Sequence, residues 1–168
     1  GWLLRLSGDI SVDRSDKRSR AQVLETSASY LERKCSVMFF PEGTRSRDGC
    51  VRRFSDGAFR LAIKEGVPVL PLAIDGTDEA LPKHSIWFNP NVEKIRVKVL
   101  DPIDTSGYEL TEARDLQRRV RARIVRQIAE WRNIPLAEAD ALHDTDAAAA
   151  NWLGENQGAV IGSASSQG

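Results

Sequence analysis

Two histidines, two cysteines and one methionine are all that this chain of 168 residues holds of the side chains that most readily ligate metals. Cys35 and Cys50 cannot frame a disulfide-stapled domain, have no metal-type spacing, and fit a reducing compartment as thiols without a role. No metal site is expected. No apolar run approaches the ~18 residues needed to cross a bilayer, and no secretory leader is visible. Net charge is absent too: 24 Lys and Arg balance 24 Asp and Glu, so no bulk field draws the chain to nucleic acid or to an anionic membrane, and any attraction to anions must be local. The chain also has no internal repeats. What remains is ordinary globular composition, 41% apolar and 29% charged, enough for one core.

The rest of the chain is organised around one stretch. Residues 36–40 are short, apolar and bounded by turn residues, which predicts a strand in a covered sheet, with a helical segment left open by periodicity alone. Pro41 ends it, because proline lacks the N–H that a ladder needs. Gly43 can take positive φ, so the chain can bend and leave the amides of Gly43, Thr44 and Arg45 free to point at an anion. Arg45 adds a planar fork of donors suited to two oxygens of a phosphate or carboxylate, and Thr44 and Ser46 add hydroxyls.

The seven residues Phe40-Pro41-Glu42-Gly43-Thr44-Arg45-Ser46 resemble the third sequence block of the glycerolipid acyltransferases, the family that includes the 1-acyl-glycerol-3-phosphate acyltransferases. Gly8 to Arg14 resembles the second block and Val67 to Leu72 the fourth, so the resemblance covers roughly residues 1–131. The first block, a His-x-x-x-x-Asp pair that supplies the base in this family, has no match. Five positions after His84 stands Asn89, and five after His143 stands Ala148. Because the chain also opens on Gly1, it is read as a fragment that starts downstream of the base.

Along the chain, Ile10 and Val12 alternate with polar residues as in a short half-buried strand that ends at Arg14. Ser15 and Asp16 are good N-caps for a helix over residues 16–33. Strand, helix and the 36–40 strand make a βαβ-like unit whose strands are parallel if they share a sheet. Arg14 and the 42–46 loop then leave at the same edge, where open α/β sheets bind ligands. On the residues alone, Arg14 is a solvated charge at a strand end. Ser55 caps a helix through Lys64, with Ala58, Leu61 and Ala62 facing inward and Gly66 closing it. This helix either packs plainly or lends its amino terminus to the anion. Residues 67–74 predict a strand that Pro71 interrupts, followed by a long connection containing Trp87, Phe88 and the loop histidine His84. Ile95, Val97 and Val99 alternate with Lys94, Arg96 and Lys98, a strand with one wet face. Thr111 starts a helix with Leu116, Val120, Ile124, Ile128 and Trp131 in one stripe, and with seven arginines on its solvated faces. Residues 1–133 are read as the carboxyl-terminal part of an acyltransferase domain, α/β with a mixed sheet flanked by helices. Residues 134–168 are read as a weakly ordered tail with at most a short helix near 137–142.

The resemblance implies transfer of a fatty acyl group from acyl-CoA or acyl-carrier protein, as co-substrate without a bound cofactor, to a hydroxyl of lysophosphatidic acid or a related glycerol-phosphate lipid. It places Arg14, Glu42, Gly43, Thr44, Arg45 and Ser46 at the acceptor, with Arg14 and Arg45 on the phosphate, and Pro68 and Pro71 on the acyl side. It implies no catalytic residue within this chain, and hence no activity in the chain alone. It also implies phospholipid biosynthesis at the cytoplasmic side of a membrane, peripheral or anchored through a missing amino-terminal segment, with no nucleic acid as partner. The competing class is a non-catalytic module that binds anionic lipid. A P-loop is weaker, since no lysine follows the glycine in the Walker pattern.

Overall fold

A computed structural model of the chain describes residues 10, 16–44, 46, 49–81, 87–92 and 94–140. The fold is α/β, and the chain divides into two compact units. The first takes Gly1–Thr44, Phe54–Leu70 and Asp101–Gln117; the second takes Arg45–Arg53, Pro71–Leu100 and Arg118–Gly168.

In the first unit, helix α1 spans Lys17–Glu32 and opens on Asp16, whose carboxylate accepts from the amides of Arg18 at 3.0 Å and Ser19 at 3.1 Å. Those bonds satisfy two of the donors that any helix start leaves orphaned. Helix α2, Gly57–Glu65, ends on Gly66 in the left-handed conformation, as the sequence predicts. Its beginning differs. Asp56 is the N-cap residue and no side chain caps it; Ser55 instead donates its amide to the carbonyl of Pro41 at 2.9 Å. The buried face also differs: Phe59 joins Leu61 and Ala62 inside, stacked on Phe54 with centroids 6.3 Å apart, while Ala58 is half-buried. Size decides this, because a phenyl ring removes far more apolar area from water than a methyl group.

Residues 36–40, expected as a covered strand, form neither strand nor helix and pair with no strand among the described residues. Val37 and Phe39 are half-buried while Met38 and Phe40 are exposed, so the segment is covered on one side only. An apolar run shows affinity for a core but not whether a ladder partner lies alongside. The parallel pairing expected with residues 10–12 falls mostly outside the described residues. The expected 67–74 strand is split. Val69 makes an antiparallel bridge with Ile103, through bonds of 2.9 and 2.8 Å, in the first unit. Thr105, buried, donates its hydroxyl to the carbonyl of Val67 at 3.0 Å.

The second unit holds the sheet: β1, Leu72–Asp75, runs antiparallel to β2, Arg96–Val99, with Leu72 opposite Val99 and Ile74 opposite Val97. Pro71 stands just before β1, where only its carbonyl is used, accepting from Leu100 at 2.9 Å. The connection includes a short helix α3, Thr77–Ala80, entered through Gly76 at φ 81°. A Cβ at Gly76 would lie 2.2 Å from the carbonyl oxygen of Lys94, so both conformation and space require glycine.

The long helix α4, Ala113–Arg132, follows a 3-10 turn at Leu110–Glu112 with a Glu109/Glu112 capping box. Its buried stripe includes Leu116, Val120, Val125 and Ile128, with Val125 taking the place expected of Ile124. Strand β2 then reverses the expected polarity. Val97 and Val99 are 61% and 57% exposed, whereas Arg96 donates to the carbonyl of Trp131 and Lys98 reaches Oε1 of Gln127 at 2.5 Å. The end of α4 explains the reversal: its last carbonyls lack intrahelical partners and carry partial negative charge, so cations are drawn to them. The valine face is therefore open to solvent, and on the other face only Arg96 is partly covered while Lys98 is exposed.

Helix α5, Leu136–Ala139, follows Pro135, with Ala139 fully buried and Asp140 bridged in parallel to Val51. Ile134 to Asp140, which the sequence reading places at the start of the tail, are thus held within the second unit. No helix among the described residues is long and apolar enough to cross a membrane.

Candidate functional site

The Phe40–Ser46 stretch begins as a closed turn. The amide of Gly43 donates to the carbonyl of Phe40 at 3.0 Å, and Gly43 stands at φ 68° with open space where a Cβ would be. Its conformation, not crowding, requires glycine there. This corrects one expectation: the Gly43 amide is engaged inside the turn and does not point at a ligand. Pro41 is fastened from the other side by the Ser55 amide, so the turn is tied to the residue two before α2. Glu42 is half-buried and Thr44 exposed in the first unit. The arrangement offers an exposed hydroxyl and a partly shielded carboxylate on a turn whose backbone is held at two points.

Arg45 begins the second unit and lies outside the described residues, as do Arg14, His84 and His143. Ser46 is described: its hydroxyl donates to the carbonyl of Cys50 at 2.9 Å. A hydroxyl has one proton, so this bond uses the donor that a phosphate would need, and Ser46 acts here on the shape of the loop. Pro68 is exposed in the first unit and Pro71 buried in the second.

Sequence reasoning missed the side chains that surround the exit of this loop. Arg121, read as one of seven solvated arginines, is buried. Its Nε donates to the carbonyl of Arg52 at 2.9 Å, its Nη2 to that of Val51 at 2.6 Å, and its Nη1 to Asp140 at 2.9 Å. Arg132 forms a second pair, with Nε 3.0 Å and Nη2 2.5 Å from Oδ1 of the buried Asp75. That hydrogen bond raises the Arg132 pKa above its ordinary value although burial opposes it, so the guanidinium stays charged at any working pH. A signal existed in the spacing of the two arginines, but on a helix so rich in arginine nothing in the sequence singles them out.

Comparison with known proteins places this geometry. The acyltransferase family model matches residues 1–75, which contain the Phe40–Ser46 stretch and the whole of the block at Val67 to Leu72. The structure superimposes on the crystal structure of the 1-acyl-sn-glycerophosphate (LPA) acyltransferase PlsC from Thermotoga maritima with a TM-score of 0.64 and 31% identity, over 78% of this chain and 50% of that one. Residues 1–75 thus match the acyltransferase family, and the similarity to its members extends over about three quarters of this chain. Among curated members, it is 38% identical over 110 residues to the chloroplastic 1-acyl-sn-glycerol-3-phosphate acyltransferase BAT2 of Brassica napus, covering 66% of this chain and 32% of that protein. It is 31% identical over 131 residues to the 1-acyl-sn-glycerol-3-phosphate acyltransferase of Salmonella typhimurium, covering 77% and 52%. The chain therefore spans about a third to a half of the length of these two curated relatives.

Proposed function

We propose that this chain supplies acceptor recognition for the transfer of a fatty acyl group from acyl-CoA or acyl-carrier protein to a hydroxyl of lysophosphatidic acid or a related glycerol-phosphate lipid, as a step in phospholipid biosynthesis. The observation that carries the reading is the Phe40–Ser46 stretch, unbroken across seven residues, on a turn tied by Gly43 and Ser55. Its substrate class comes from the names of the relatives, each a 1-acyl-sn-glycerol-3-phosphate acyltransferase. Arg14 and Arg45 hold the phosphate, Arg45 through its planar fork. Gly43 and Thr44 shape the loop, and Glu42 holds Arg45 or a glycerol hydroxyl, since a carboxylate aimed at the phosphate would repel it. Ser46 contributes through the loop. Pro68 and Pro71 stand on the acyl side.

The reaction needs a base for the acceptor hydroxyl, whose oxygen forms the new ester while the thiol leaves with the proton. No His-x-x-x-x-Asp pair occurs in these 168 residues, so this chain binds acceptor without supplying that pair. No metal or bound cofactor enters the proposal. The working site is the cytoplasmic side of a membrane, with the protein peripheral or anchored through an amino-terminal segment. Exposed Trp87 and Phe88 fit contact with a lipid interface.

Titration calorimetry with sn-glycerol 3-phosphate and a short-chain lysophosphatidic acid, against glycerol and an uncharged monoacylglycerol, tests the reading. Binding should require the phosphate, and Arg45→Lys should weaken it by about tenfold, the loss of one charge-assisted bond of a bidentate pair. Equal binding of charged and uncharged ligands, or an unchanged affinity in Arg45→Lys, would remove the acceptor role.

A further inference from the structure

The loop that leaves the candidate phosphate turn is gripped from one face of α4. Arg121 and Arg132 are eleven residues apart, and at 3.6 residues per turn that is three turns plus about 20°, so both side chains leave the same face roughly 16 Å apart along the axis. Each is held by its own carboxylate, Asp140 for Arg121 and Asp75 for Arg132. Each also meets the loop. Arg121 bonds the carbonyls of Val51 and Arg52. At Gly49, with φ 71°, a Cβ would lie 2.8 Å from Nη2 of Arg132 and 3.0 Å from Oδ2 of Asp78, so the glycine backbone rests directly on that pair.

The strand of contacts runs back toward the turn. The amide of Val51 donates to the carbonyl of Ala139 at 3.0 Å, the thiol of Cys50 donates to that of Glu138 at 3.2 Å, and the carbonyl of Cys50 accepts the hydroxyl of Ser46. Ser46 adjoins Arg45 in the chain.

We infer that Arg121–Asp140 and Arg132–Asp75 form a two-point clamp that positions residues 49–52 and, through the Cys50 carbonyl, Ser46, and that acceptor binding by Arg45, the adjacent residue in the chain, depends on it. The four side chains are positioning residues and do not themselves hold the phosphate. A guanidinium suits this task because its fixed planar fork bonds two carbonyls and both oxygens of a carboxylate, four bonds where an ammonium has three donors. The inference rests on the reading of Arg45 as a phosphate ligand, so its test carries a readout independent of that reading.

Cys50 lies inside the clamped loop and Cys35 lies exposed in the first unit, so one molecule carries both a reporter and its control. Thiol labelling rates at the two cysteines, resolved by mass spectrometry, are measured for the wild-type chain, Asp140→Asn and Asp75→Asn, beside calorimetry with sn-glycerol 3-phosphate. Each variant should accelerate Cys50 labelling by roughly tenfold, because loss of a charged hydrogen-bond partner lowers the free energy of local opening, and should leave Cys35 unchanged. Each should also weaken sn-glycerol 3-phosphate by several-fold at temperatures where the variant is fully folded. Unchanged Cys50 rates in both variants overturn the clamp. Faster Cys50 with unchanged affinity overturns its positioning role. Acceleration at both cysteines signals general unfolding and overturns the local account; the two variants act at the middle and at the carboxyl end of α4, so they test it separately. A wild-type chain that binds no sn-glycerol 3-phosphate overturns the acceptor reading and the link to affinity, while the Cys50 rates still decide the clamp.

Discussion

Strand β2 supports a prediction that runs against its hydrophobic pattern. Replacing Val97 and Val99 together by threonine keeps the branched shape and strand preference while exchanging a methyl for a hydroxyl. With Val97 61% exposed and Val99 57% exposed, both side chains already stand mostly in water, so the new hydroxyls meet solvent. The whole double substitution should then cost under about 1 kcal/mol, compared with roughly 1–3 kcal/mol for each hydroxyl if it were buried without a partner. Arg96→Leu should behave oppositely, although it adds apolar character. It removes the bond to the carbonyl of Trp131 at the end of α4, where a hydrogen bond to a charged group contributes about 1.5–3 kcal/mol, discounted toward ~1 kcal/mol because the guanidinium is half-exposed. Urea unfolding followed by tryptophan fluorescence and far-ultraviolet circular dichroism measures both changes on one scale. For a chain of this size, 1 kcal/mol moves the thermal midpoint by roughly 2–4 °C, which is resolvable. A larger loss in the double threonine variant than in Arg96→Leu would show that the valines face a core, and would refute the reversed strand.

Gly76→Ala should cost about 2–5 kcal/mol, combining the 1–2 kcal/mol of a left-handed non-glycine residue with displacement of the Lys94 carbonyl, and a midpoint within 2 °C of the unsubstituted chain would contradict that. Deleting residues 134–168 should lower the midpoint by several degrees, because it removes the buried Ala139 and the Asp140 partner of Arg121; deleting only the residues after Asp140 provides the comparison. The chain alone should show no acyl transfer from a thioester to lysophosphatidic acid, since general-base assistance is worth about 10²–10⁴ in rate and the chain has no His-x-x-x-x-Asp pair; turnover abolished by His84→Ala would reverse that assignment.

The sequence alone determined what depends on local chemistry. Asp16 caps α1 because a carboxylate beside free amides needs only three neighbouring residues, and Gly66 closes α2 because no other residue takes a left-handed conformation so cheaply. Pro41 and Gly43 likewise mark the turn at the centre of the candidate site, and the seven-residue stretch carries the resemblance to the acyltransferases without any coordinates. Tertiary structure decided where side chains with two possible partners go. The alternation at residues 94–100 shows that two faces exist, but which face meets α4 depends on the Trp131 carbonyl and the Gln127 side chain near that helix's end. Arg121 reads like its six fellow arginines until Asp140 and the carbonyls of Val51 and Arg52 surround it. Asp140 in turn reads as tail composition until Arg121 holds it. These choices rest on partners tens of residues away, and only the folded chain brings such partners within hydrogen-bond reach.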